Sequence, residues 1–178
     1  MNNNDVLRRL RYTFELEDSA MIRLFRLADQ VVTRAEVSAW LKRDDDPELI
    51  PLSDTQLATF LNGLIIDRRG KRDGQTPVPE KTINNNTVLT KLKIALSLQS
   101  EQILALLQLA GLSISKHELS AFFRKPSHKH YRKCKDQVLR NFIQGLQFHY
   151  RDKQALPTPA KPKPSNFNWG DKPPEHNK

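Results

Sequence analysis

A basic segment at residues 124–135 holds most of the side chains that could bind another molecule. Six of its twelve residues are lysine or arginine, and a tyrosine and two histidines stand among them. Lysine and arginine bind nucleic-acid phosphates by releasing condensed counterions, and tyrosine stacks on unpaired bases. The candidate anion- or nucleic-acid-binding residues are therefore Arg124, Lys125, Lys129, His130, Tyr131, Arg132, Lys133 and Lys135.

Two other interpretations of this basic segment stay open. A cationic surface loop also serves solubility alone. Alternatively, the basic segment of one molecule meets the acidic loop at residues 42–48, Lys-Arg-Asp-Asp-Asp-Pro-Glu, of another copy or of the same chain. Opposite charges would then drive self-association, docking of a protein partner or an intramolecular contact.

Metal binding and nucleophilic catalysis are the other chemistries that this segment suggests. His128, His130 and Cys134 are residue types that bind zinc, but no fourth ligand is evident and the neighbouring cations oppose a divalent ion. Cys134 lacks an orienting third group and an oxyanion loop, which a catalytic thiol with His130 as base would need. We predict no metal, no cofactor and a buried apolar role for Cys134.

The rest of the chain favours a binding protein over an enzyme. It contains no glycine-rich phosphate loop, no paired catalytic carboxylates and no Ser/His/Asp arrangement. Residues 106–124 superficially resemble a helix-turn-helix, but the turn after Gly111 is long and only Lys116 and His117 would face the bases. We therefore expect a partner other than a small substrate.

An internal repeat determines which elements position these residues. A shift of 82 residues superimposes the first copy on the second without a gap, and about twenty of seventy positions are identical. Residues 1–72 form repeat one, residues 73–83 a linker and residues 84–153 repeat two. A unit of this size is close to the lower limit for independent folding, so we expect the two copies to share an interface.

Apolar residues recur at helical spacing in both copies, and no segment alternates with a period of two. Each repeat is predicted to form about four helices, so the fold class is all-α. Predicted helix starts are Asn3 or Asn4, Asp18, Thr33 and Asp54, with Asn85 or Asn86, Ser100, Ser115 and Asp136 as their counterparts. Gly63 and Gly145 lie inside the last helices, where a close helix crossing would justify them.

The two repeats differ in charge far more than in their apolar pattern. Residues 1–72 hold twelve basic and twelve acidic side chains, whereas residues 83–153 hold twelve basic and four acidic ones. Most of the net charge of +9 therefore lies on repeat two. A strongly basic unit beside a neutral one is typical of a surface that binds polyanions.

The remaining features concern location. The polar beginning of the sequence and the single cysteine indicate a cytoplasmic protein, and no apolar stretch is long enough for a membrane span.

Residues 154–178 hold six of the eleven prolines and few aliphatic side chains. We predict that this tail is disordered.

The chain resembles the bacterial YehS family, which is defined by a duplicated domain of unknown function. The resemblance covers residues 2–153 and is carried by residues 3–12, Asn-Asn-Asp-Val-Leu-Arg-Arg-Leu-Arg-Tyr, by Phe60-Leu-x-Gly-Leu64, and by Tyr131-Arg132-x-Cys134-x-Asp136. Lys133 and Lys135 depart from the family pattern, so the basic segment is partly specific to this chain. The resemblance implies a cytoplasmic bacterial protein and supplies no reaction, cofactor or catalytic residue.

Overall fold

The computed structural model describes residues 1–158, which form eight α-helices and a final π-helical turn. The helices are α1 Asn3–Thr13, α2 Asp18–Leu27, α3 Arg34–Leu41, α4 Asp54–Arg69, α5 Asn85–Ala95, α6 Ser100–Leu109, α7 Lys116–Ala121 and α8 Asp136–Leu146, followed by the π turn Gln147–Arg151. Residues 1–158 contain no β-strand, only an isolated bridge between Arg72 and Gln75. The predictions of an all-α fold and of a tandem duplication are both confirmed.

The helices begin close to the predicted residues, but several caps lie one position earlier. Thr33 and Ser115 form the two predicted capping boxes with the glutamates three residues later. Asn2 and Asn84 cap α1 and α5, instead of the asparagines that follow them. Likewise Ser53, and not Asp54, caps α4. The displaced asparagines and aspartates bind neighbouring segments instead, as described below.

Both repeats contain one close helix crossing, at Gly63 and Gly145. A β-carbon on Gly63 would lie 1.9 Å from the backbone oxygen of Leu24, and one on Gly145 would lie 2.1 Å from that of Leu106. These distances are far below van der Waals contact, so α4 packs on α2, and α8 on α6, only because a side chain is missing. The predicted reason for these glycines is confirmed.

The two repeats share one continuous apolar core. Helix α4 packs along α5, while α1 packs against α8 and the π turn. Two reciprocal contacts mark an approximate two-fold relation: the amino group of Met1 binds the carboxylate of Asp136, and the amide of Ile83 donates to Asp54 at 3.1 Å. The copies therefore associate like the halves of a symmetric dimer.

The π turn completes this interface on the side of repeat one. Tyr150 contacts Phe14 edge-on, with ring centroids 5.6 Å apart. The guanidinium of Arg151 lies 3.7 Å from the centroid of the Tyr12 ring and donates to the Tyr12 carbonyl at 2.7 Å. The wider turn thus places two consecutive side chains of repeat two against α1.

The predicted disordered tail lies almost wholly outside the described residues. Residues 154–158 belong to no regular element, and residues 159–178 are not described. Within residues 1–158, no helix has the length and the apolar character that a membrane crossing requires.

Candidate nucleic-acid interface

The eight predicted binding residues lie together on the loop between α7 and α8. Lys125, Lys129, His130, Lys133 and Lys135 are exposed, and Arg124, Tyr131 and Arg132 are partly buried. Two hydrogen-bonded turns shape the loop, because the amide of His128 donates to the carbonyl of Lys125 and the amide of Tyr131 donates to that of His128, both at 2.9 Å. The structure therefore brings the predicted set onto one surface.

A buried asparagine of α5 holds both ends of this loop. The Nδ2 atom of Asn86 donates to the carbonyls of Phe122 at 3.0 Å and Arg132 at 2.8 Å, and its Oδ1 accepts from the amide of Cys134 at 2.9 Å. The preceding Asn85 donates to the carbonyl of Cys134 and to the carboxylate of Asp136. The loop is thus fixed at its base while its four lysines face solvent.

Repeat one has the same arrangement at positions 82 residues earlier. Asn4 donates to the carbonyls of Trp40 and Ile50, both at 2.9 Å, and accepts from the amide of Leu52 at 2.9 Å. Asn3 donates to Leu52 and Asp54 in the same way. The repeated asparagines are visible in the sequence, but their interpretation as helix caps misses their role in holding the loops.

The acidic loop of repeat one is neutralised by its own repeat. Each of its four carboxylates lies near a cation: Asp44 pairs with Arg8 at 2.8 Å, Asp45 with Arg43 at 3.2 Å, Glu48 with Lys42 at 2.7 Å, and Asp46 lies 3.9 Å from Lys42. Four carboxylates thus stand beside three cations, Arg8, Lys42 and Arg43, which leaves the loop and its partners with a net charge of only −1.

Four cations of the basic segment have no comparable ion pair. Across residues 1–158, no carboxylate lies within ion-pairing distance of Arg124, Lys125, Lys129 or Lys133. Arg124 instead contacts the ring of His128, with Nη1 and Nε2 3.4 Å apart. Four cations on one fixed loop, three of them exposed lysines, therefore have no acidic partner in the described chain, which is the electrostatic arrangement that attracts phosphates.

Three histidine rings lie beside these cations. The ring of His130 lies 5.6 Å from that of His128 and 6.5 Å from that of His117, between centroids. Desolvation, followed by the charges of Lys129 and Arg124, lowers the pKa of His130 below its usual value. A positive charge on the His130 ring is therefore disfavoured by its surroundings.

Cys134 is part of the core and not of the exposed surface. It is buried, and burial raises the pKa of its thiol to about 12, so the thiolate is not populated at neutral pH. The predicted buried role of this cysteine is confirmed. In the described part of the chain, no three histidine, cysteine or acidic side chains are grouped so that they could hold a metal ion.

The helix-turn-helix alternative meets a geometric difficulty. Helix α7, which would be the recognition helix, has six residues and ends at Ala121, and Phe122 and Phe123 follow it in a turn. Phe122 is buried, and the amino group of Lys93 covers the ring of Phe123 at 4.5 Å from its centroid. Little of this helix is left to enter a major groove.

A cleft of about 300 Å³ opens beside the basic segment. It lies between α5, the residues that follow α7, Ile65 of α4 and Glu80 of the linker. Its polar side chains include Thr87, Thr90, Lys91 and Arg124, and Tyr131 closes one side. We did not predict this cleft, because it is formed by residues from both repeats and the linker.

Comparison with known proteins agrees with the duplication. A family model described as "Protein of unknown function (DUF1456)" matches residues 3–70 and again residues 85–152, and these two ranges are offset by the same 82 residues as the internal repeat. The chain belongs to this family. It is also 40% identical to "Uncharacterized protein YehS" of Escherichia coli (strain K12) over 147 residues, which cover 82% of this chain and 94% of that protein. The resemblance stated from the sequence is thereby confirmed. No solved structure matches the chain.

Proposed function

We propose that this protein binds nucleic acid through the basic segment of repeat two and acts as a binding protein and not as an enzyme. The observation that carries the proposal is the contrast between two equivalent loops. The loop of repeat one pairs each carboxylate with a cation of its own repeat, whereas Arg124, Lys125, Lys129 and Lys133 have no acidic partner within residues 1–158.

The fixed base of the loop supports this proposal. Because Asn86 binds the backbone on both sides of the segment, the cations are presented with limited loss of conformational freedom when a ligand binds. Phosphates separated along a strand match several separated cations better than a single small anion would. We propose likewise that the protein is cytoplasmic, where a nucleic-acid ligand would be available to it.

Self-association through opposite charges is the weaker candidate. It requires an acidic surface, and the acidic loop of repeat one is already paired with Arg8, Lys42 and Arg43. Exposed pairs of this kind contribute at most about 1 kcal/mol each, so exchanging them for intermolecular pairs would gain little. We therefore retain nucleic acid as the proposed partner.

The test is a charge reversal with a matched control. We expect the triple variant Lys125→Glu, Lys129→Glu, Lys133→Glu to bind fluorescent single-stranded RNA or DNA at least about tenfold more weakly than the natural protein, measured by anisotropy at low salt. These lysines are exposed and outside the core, so the fold should persist.

The control variant changes net charge equally at another place. Arg26, Lys71 and Arg72 are exposed on repeat one, and replacing all three by Glu lowers the net charge by the same amount. We expect this control to keep most of the affinity of the natural protein, because binding depends on where the positive charges lie and not on net charge alone. An equal decrease of affinity in both variants, or no binding by the natural protein at low salt, would refute the proposed function.

A further inference from the structure

The two repeats differ most clearly inside the cleft next to the loop. In repeat one, the side chain of Arg8 extends from α1 into the equivalent space between the helix and the loop. Its Nη1 donates to the carbonyl of Lys42 at 2.6 Å, and its Nη2 donates to the carboxylate of Asp44 at 2.8 Å. The planar guanidinium thus fills the space between helix and loop, and only 22% of the Arg8 side chain is exposed.

Repeat two has a short side chain where repeat one has Arg8. The counterpart is Thr90, whose hydroxyl donates to the carbonyl of Asn86 at 2.8 Å, back along its own helix. Arg124 and Pro126 take the places of Lys42 and Asp44. The space that a guanidinium occupies in one repeat is therefore part of the open cleft of about 300 Å³ in the other.

One wall of the cleft carries an ion pair. The Oε1 atom of Glu80 pairs with the amino group of Lys91 at 2.9 Å. Its Oε2 atom is shielded from solvent and accepts no hydrogen bond from the residues that the structure describes. Because a ligand cannot reach this shielded oxygen, Glu80 serves here to hold Lys91 at the wall of the cleft.

The other walls suit a flat, partly apolar group. Ile65, Ile94 and Phe123 contribute apolar surface, and Tyr131 stands on the side of the basic segment. Cations at Arg124 and Lys125 lie at or next to the rim. A nucleobase combines a flat apolar face with N–H donors at its edge, and the attached phosphates would lie outside with the cations.

We propose that the cleft holds one unpaired nucleobase from the strand bound by the basic segment. The flat base takes the place between helix and loop that the planar Arg8 guanidinium has in repeat one. This inference rests on the proposed function and makes it specific for single strands, because a paired base must first leave its duplex.

The variant Thr90→Arg tests the inference, because filling the cleft should weaken the affinity for nucleic acid whereas an added positive charge should strengthen it. Arginine stands at the equivalent position of repeat one, where Asp44 pairs with it, whereas repeat two has Pro126 in place of Asp44. The urea midpoint of the variant is therefore measured alongside to establish that it is folded. If a base enters the cleft, the variant binds single-stranded adenine oligonucleotides at least about tenfold more weakly despite its additional positive charge. Thr90→Ala, which leaves the cleft open, should retain the affinity of the natural protein. Unchanged or tighter binding by Thr90→Arg would overturn the inference.

A second set of measurements uses only the natural protein. We expect an adenine oligonucleotide to bind at least about tenfold more tightly than an abasic strand of equal length, because only the former brings a base to the cleft. Equal affinity for the two strands would overturn the base site while leaving the phosphate site intact. Absence of binding to every strand would instead overturn the proposed function and the base site together.

Discussion

At the scale of single residues, the two buried asparagines explain how the same fold presents two different loops. Asn4 and Asn86 each satisfy two carbonyls and one amide of the loop opposite them. None of these bonds involves a loop side chain, so the loop sequence is free to change while its path remains. This freedom allowed repeat two to become basic where repeat one is mixed in charge.

The role of Asn86 predicts a large effect from a small substitution. Asn86→Asp removes both donors to the carbonyls of Phe122 and Arg132 and places a buried negative charge beside them. We expect the free energy of unfolding in urea to fall by about 2–4 kcal/mol.

Asn84 provides the matched control for this substitution. Its side chain only accepts hydrogen bonds, from the amide and hydroxyl of Thr87, and aspartate caps a helix equally well. Asn84→Asp should therefore change stability by less than about 0.5 kcal/mol. Similar destabilisation of the two variants would show that Asn86 does not act through its donors.

The candidate site was predictable from residue types only in part. The eight residues of the basic segment stand close together in the sequence, so their shared surface followed from the sequence alone. The ion pair of Glu80 with Lys91 and the short side chain at Thr90 gained meaning only from tertiary structure. Ion pairing, which distinguishes the two loops, also depends on distances between side chains that a sequence does not contain.

At the scale of elements, helix position followed from the apolar spacing, and the exact ends followed from tertiary contacts. Asp54 was a plausible cap, but its carboxylate is engaged by Asn3 and by the amide of Ile83, so Ser53 takes the capping position. The π turn after α8 was not predicted either. Its side chains pack on α1 of the other repeat, and no local pattern reports such a contact.

The glycine crossing predicts an unusual result at this scale. In an exposed helix, Gly→Ala stabilises by up to about 1 kcal/mol, but a β-carbon at Gly145 would collide with the Leu106 carbonyl. We expect Gly145→Ala to lower the free energy of unfolding by at least about 2 kcal/mol, measured by urea denaturation followed by circular dichroism.

A neutral substitution on the same helix controls for that result. Arg140 is exposed on α8, so Arg140→Ala should alter stability by less than about 0.5 kcal/mol. A stabilising effect of Gly145→Ala would contradict the close crossing of α8 and α6. Because the two repeats are equivalent, it would also contradict the crossing of α4 and α2 at Gly63.

At the scale of the whole molecule, an approximately symmetric interior carries an asymmetric surface. The two repeats exchange equivalent contacts through Asp54 and Asp136, and their apolar residues form one core. The duplication was predictable because it repeats apolar positions, glycines and caps at one offset. The packing of α4 on α5 was not, since the apolar faces alone do not specify which helices meet.

The division of charge is the property of the whole molecule on which the proposed function depends. Repeat one contributes a balanced surface and repeat two an excess of eight positive charges. A ligand held by several of these charges releases counterions in proportion to the phosphates that the protein neutralises. The affinity must therefore depend on salt in a way that identifies the cations involved.

The salt dependence of binding to a single-stranded oligonucleotide tests the central claim most directly. We predict that the logarithm of the association constant falls linearly with the logarithm of salt concentration. In the Lys125, Lys129 and Lys133 charge-reversal variant, the slope should become shallower by about 0.7 for each phosphate that the variant no longer neutralises. The Arg26, Lys71 and Arg72 control should keep the slope of the natural protein. A slope that is the same in all three proteins, or an affinity that does not depend on salt, would contradict the account.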